Sequence, residues 1–89
     1  HMSEKFDLFK SRVSNFTLQI ADLIEGNYFN DTEVHAFGVT TKELWGTAKF
    51  QFEEAKKLAD TLEGEEKAFA EFMIKWFKIA FRNHLSRLE

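Results

Sequence analysis

From Phe69 to Leu88 the apolar residues are Phe69, Ala70, Phe72, Met73, Ile74, Trp76, Phe77, Ile79, Ala80, Phe81, Leu85 and Leu88. Wound as a helix at about 100° per residue, they span about 240° of the circumference. Glu71, Lys75, Lys78, Arg82 and Ser86 fill the narrow stripe that remains, and Asn83, His84 and Arg87 intrude near the end. A surface helix of a globular domain shows a much narrower apolar stripe. A segment this apolar needs neighbours on several sides, and that limits the folds open to the chain.

The rest of the chain also reads as helix. There is no Pro and there are only 4 Gly, so few positions break a helical run. Phe6, Phe9, Val13, Phe16, Ile20 and Leu23 recur in steps of three and four. With Ile24 they occupy one arc of about 100°, which leaves Leu8 and Leu18 outside it. Ser3 is a suitable N-cap and Gly26-Asn27 a suitable stop, so the first helix is predicted over residues 4–25. In the second helix, predicted over 41–63, the seam is Trp45, Ala48, Phe52, Ala55, Ala59 and Leu62, flanked by Leu44 and Leu58. Three Ala in that seam let a neighbouring helix come close.

Two helix-start signatures fall in the connection between these helices. Asn30 and Glu33 have capping-box spacing, with Phe29 and Val34 as the hydrophobic staple. Thr40 and Glu43 repeat the pattern with Val39 and Leu44. The first signature predicts a short helix of about two turns, closed by Gly38. The connection is expected to be ordered.

Gly64 separates the second helix from the third, which is predicted to run from about residue 65 to about 87. Extending the seam of the second helix past Gly64 lands on Glu66, Phe69, Met73, Trp76 and Ala80. A tight hairpin and one continuous helix of about 47 residues, swapped into a second chain, both fit that phase. The hairpin is favoured, because a mid-helix Gly costs about 1 kcal/mol.

The expected fold is all-α: an antiparallel three-helix bundle with a short extra helix in the first connection, assembled as a homo-oligomer. The predicted core is Phe6, Phe9, Val13, Phe16, Ile20, Trp45, Phe52, Ala55, Ala59, Leu62, Phe69, Met73, Trp76 and Ala80. That choice leaves Ile74, Phe77, Phe81 and Leu85 on the outside of the last helix. Exposing them forgoes about 1.5–3 kcal/mol each, which a small monomer scarcely tolerates when its total stability is about 5–15 kcal/mol. These four, with Lys78 at their edge, are the expected interaction surface. Phe50, on the far side of the second helix from its seam, is a further candidate; a cover from the aromatic connector fits it equally well.

Composition narrows the function. At 89 residues the chain is one domain. It has no Cys, which excludes disulfides, thiolate metal sites and a cysteine nucleophile, and suits a reducing cytoplasm. His1-Met2 resembles the remnant of a cleaved tag, and Leu88-Glu89 the residue pair a cloning site leaves. No signal peptide follows the start, and no run of about 18 uncharged apolar residues crosses a membrane. A net charge of −3 argues against general or specific nucleic-acid binding.

The motifs of chemistry are missing. The sequence holds no phosphate-cradling Gly-rich loop, no Gly-x-Ser-x-Gly elbow, no His-Glu-x-x-His and no calcium loop. His35 and His84 stand far apart, and neither has the Glu three residues before it that a diiron bundle needs. His35 with Asp31 or Glu33 lacks a full metal ligand set. The carboxylates crowding the end of the second helix and the start of the third read as a solvated face. No catalytic, metal or cofactor site is expected.

What is left is a surface. Residues 1–66 carry 7 basic and 13 acidic side chains, whereas residues 67–88 carry Lys67, Lys75, Lys78, Arg82 and Arg87 against Glu71. A basic apolar helix beside an acidic body suits self-association. The expectation is a non-catalytic interaction module of adaptor, inhibitor or regulator type. It forms a homodimer through its last helix, with a different protein as a further possible partner. The alternative is a peripheral membrane or hydrophobic-granule binder that lays the same basic, aromatic helix on the surface.

Overall fold

A computed structural model describes residues 3–89, so the tag reading of His1-Met2 lies outside the described residues. The regular elements are all helical: α1 (Glu4–Glu25), α2 (Thr41–Thr61), α3 (Gly64–Ala80) and α4 (Leu85–Leu88). Single 3₁₀ turns lie at Ala36–Gly38 and Arg82–His84.

α1 begins and ends as its sequence predicts. The Ser3 hydroxyl accepts the Phe6 N–H at 3.1 Å, and Glu4 and Asp7 place negative charge at the positive end of the helix. At the other end Asn27 takes the left-handed conformation (φ 57°). The Tyr28 N–H then reaches the Leu23 carbonyl at 2.9 Å and the Asn27 N–H reaches Ile24 at 3.1 Å, which closes the helix in a Schellman turn. Gly26 is needed here, since a Cβ would stand 2.6 Å from the Tyr28 ring.

α2 starts on the second capping box, with both halves made: the Glu43 N–H donates to the Thr40 hydroxyl at 3.1 Å, and the Thr40 N–H to the Glu43 carboxylate at 3.5 Å. All six predicted seam residues, from Trp45 to Leu62, are buried.

The first capping box does not form. The Asn30 side-chain oxygen accepts from the Thr32 N–H and hydroxyl instead, at 3.3 and 3.1 Å, which makes a turn local to those residues. The predicted two-turn helix is therefore a single 3₁₀ turn over Ala36–Gly38. Phe37 (φ 62°) and Gly38 (φ 73°) are both left-handed, a geometry no α-helix continues through. A lone bridge between Val34 and Thr40, with the His35 N–H on the Val39 carbonyl at 2.7 Å, closes this loop. The connection is ordered, but by turns.

α3 is set off from α2 by a turn. Leu62 and Glu63 are extended (ψ 162° and 158°) and Gly64 is left-handed (φ 60°), so the helix is not continuous. Those residues also reset the helical phase. The face α3 turns inward is Ala70, Ile74, Phe77 and Phe81, with Met73 at its edge. This corrects two expectations. Phe69, Trp76 and Ala80 are exposed and do not belong to the core. Phe77 is 8% exposed, Ile74 and Phe81 pack half-buried against the core, and Leu85 is half-buried, so these four do not form an outer surface. The turn at Leu62–Gly64 sets this phase, and within it Ala70, wholly buried, packs in one cluster with Ala55 and Ala59 of α2.

α3 also stops earlier than predicted. Phe81 (φ −110°, ψ 26°) leaves the helical region, and the chain turns before α4. α4 folds back against α2 and buries Leu88 beside Trp45, Phe16 and Phe77. The Leu88 side chain is thus part of the core.

Candidate functional site

Phe69, Phe72, Trp76 and Ile79 project from α3 away from the core, with exposures of 47, 61, 55 and 48%. On the helix they fall in steps of three, four and three, so they form one contiguous stripe. Phe69 is the member nearest the bundle: its ring meets the edge of Phe6 on α1 at 5.6 Å.

Both ends of α3 are fastened. At the start, Glu66 receives the Ser3 N–H at 3.0 Å and the Ser3 hydroxyl at 2.7 Å. These bonds, the backbone one first, hold the Glu66 carboxyl below the ordinary carboxylate range. Beyond the far end, Arg87 binds Asp31 at 2.7 Å and donates to the Phe29 carbonyl at 3.0 Å. Its guanidinium lies 5.5 Å from the Phe29 ring centre and 5.4 Å from that of Trp45. His84 stacks on Phe29 at 5.4 Å, and the Trp45 indole N–H donates to the Tyr28 carbonyl at 2.6 Å. The last turn of α3 meets α1 through rings: Phe77, and Phe81 just past the helix end, each stand edge-on to Phe16, at 5.8 and 6.2 Å. The stripe is thus presented by an element whose ends are tied down.

The remaining candidates do not join it. Phe50 is 55% exposed on the outer side of α2, uncovered by the connector. Lys78 lies on the opposite flank of α3 from Phe69. It lines an open groove of about 400 Å³ with Lys56, Ala59, Asp60, Glu71, Ile74 and Lys75. Charges of both signs are mixed there, with no enclosed pocket for a substrate. His35 is occupied with the buried Thr41 hydroxyl at 2.8 Å and the edge of Tyr28. Among the described residues no three His, Asp or Glu side chains come together as a metal would need. No helix among the described residues is long and apolar enough to cross a membrane.

No protein-family model, curated protein or solved structure matches the chain.

The exposed side of α3 is therefore not the side that the sequence leads one to expect. Two of the four stripe residues, Phe69 and Trp76, were assigned to the core, and Phe72 and Ile79 to neither face. Ala70 lies on the inward face with Ala55 and Ala59 of α2, and Phe77 and Phe81 follow it in phase at steps of seven and four; Ala68 and Ala80, equally small, are exposed, so size alone does not locate that face.

Proposed function

We propose that this protein is a non-catalytic interaction module, an antiparallel three-helix bundle that forms a homodimer through the outer stripe of α3. The observation that supports this reading is the contiguous exposure of Phe69, Phe72, Trp76 and Ile79, each near half. Exposed large apolar residues are ordinary when single, as Leu8, Leu18 and Phe50 are here, but a run of four on one helix face marks a contact surface. A reducing compartment such as the cytoplasm suits a chain without Cys.

The size of the stripe also sets the strength of the contact. Fully burying such a side chain contributes about 1.5–3 kcal/mol, so covering the open half on both protomers yields at most about 12 kcal/mol. Association itself costs at least about 4 kcal/mol, which leaves a dimer no tighter than about micromolar. An interaction of this strength forms and dissolves with concentration.

Light scattering after size exclusion, run from about 10 μM upward, tests the reading. The mass is expected to rise from 10.5 kDa toward twice that value. Trp76→Glu and Phe72→Glu hold it at one chain while circular dichroism stays helical. A wild-type mass of one chain at every concentration overturns the proposal. Lys75, Lys78 and Arg82 accompany Trp76 along the same helix, which favours a lipid surface as the second reading. Flotation of the monomeric wild type with anionic vesicles, lost in Trp76→Glu, is the outcome that selects it.

A further inference from the structure

We infer that α3 pairs with α3 of a second copy in antiparallel orientation, about a two-fold axis that passes beside residue 74. This arrangement rests on the proposed self-association through the same stripe and adds the register of the contact. The exposed residues 69, 72, 76 and 79 have the three-four spacing of a seam between two helices. They are also symmetric about position 74. Reversing one copy places Phe69 opposite the partner's Ile79 and Phe72 opposite the partner's Trp76. Each layer then joins an aromatic to a second large apolar side chain, and the four layers use every member of the stripe. A two-fold contact of this kind is isologous and closes on itself, so it makes a dimer and not a fibre.

Charge along α3 selects the same orientation. Its first turn holds Glu65 and Glu66, followed by Lys67, and the basic residues Lys75 and Arg82 lie in and just beyond its second half, while Lys78 turns to the other flank. Parallel pairing brings the two acidic ends together and the two basic ends together. Antiparallel pairing sets the acidic end of one copy near the basic end of the other, and opposes the two helix dipoles. One like-charge contact is left at the centre, where Lys75 faces the partner's Lys75; Glu71, one turn earlier on the same helix, is in position to offset it.

The chain contains no Cys, so single cysteines report the register directly. Glu65, Lys75, Ala80 and Arg82 are exposed, and substitution there leaves the core intact. At 1.5 Å of rise per residue, two copies of position 65 stand about 27 Å apart along the antiparallel pair, whereas two copies of position 75 lie side by side. With a short bis-maleimide, Lys75→Cys is expected to yield covalent dimer about tenfold more readily than Glu65→Cys or Arg82→Cys alone, because a linker that fails to span its sites contributes almost nothing. Mixing Glu65→Cys with Ala80→Cys, exposed at the end of α3 and within about 5 Å of position 65 of the partner along the axis, restores cross-linking. Equal cross-linking of Glu65→Cys and Lys75→Cys shows a parallel pair and overturns the inference. A concentration-dependent mass that Trp76→Glu abolishes, without cross-linking of Lys75→Cys, overturns the register and leaves the stripe as the contact. A chain monomeric throughout overturns both.

Discussion

The seam between α1 and α2 and the outer stripe of α3 are built from the same residue types at the same spacing, with opposite fates. Phe16 and Phe52 stack at 5.1 Å in the core and are almost fully buried. Phe72 and Trp76, no less apolar, stand more than half exposed. The difference lies in the rest of the circumference. α1 and α2 each carry a narrow apolar arc with polar residues around it, so there is one way to bury them. α3 is apolar around about two-thirds of its girth, so two faces compete and contacts elsewhere decide which is hidden. Here the hidden face is the one that sets Ala70 in a cluster with Ala55 and Ala59. A narrow stripe specifies an orientation; a wide one specifies that something must be left over.

The sharpest way to break this contrast is to cut one ring from each region. Phe52→Ala is expected to lower stability by about 3–5 kcal/mol. Phe72→Ala is expected to change it by less than about 1 kcal/mol, read by denaturant melts at low micromolar chain where pairing is weak. Equal losses would mean that the stripe is buried in the lone chain. Leu88→Ala comes next, at about 2–5 kcal/mol, because α4 completes the core beneath the fastened end of α3. A negligible loss in the same melts would free α4 from that role.

Gly64→Ala tests the hinge that sets the two regions out of phase. A Cβ there meets no neighbour within 4 Å, so its cost is the left-handed backbone alone, about 1–2 kcal/mol, and Gly64→Asn should recover part of it. A stabilised Gly64→Ala would point to the continuous helix instead. The smallest effect concerns pH. The Glu66 carboxyl is held low in the folded chain, so its bonds to Ser3 contribute stability above the ordinary carboxylate range, and that contribution is lost as pH falls through the lowered value. The gap in melting temperature between wild type and Glu66→Gln should therefore close on acidification. A gap that stays constant with pH would detach Glu66 from Ser3.

Much of this was legible in the residues. The ends of α1, the cap of α2 and its six-residue seam follow from spacing and from side chains that satisfy the free amides of a helix start. Two capping boxes looked alike, and one formed. Thr32 offers Asn30 two nearer donors than a helix start would, and a pattern confined to Asn30 and Glu33 does not register that competitor. The end of α3 at Ala80 was hidden for a related reason: Asn83, His84 and Arg87 break the apolar run, yet His84 and Arg87 are held by Phe29, Trp45 and Asp31, far away in sequence. The site was half legible. Its helix and its greasiness follow from composition, whereas its side depends on the Leu62–Gly64 turn, whose dihedral angles no periodicity encodes.

The backbones of α1 and α3 approach closely at almost no point; between the Ser3–Glu66 tie and the Leu88 anchor, rings set edge-on to one another carry the contact. Rings slide and tilt at little cost where interlocked backbones do not. α3 is therefore the element poised to open first, with its central amides exchanging hydrogen for deuterium before those of α1 and α2, and the flank that carries the exposed stripe is the soft one.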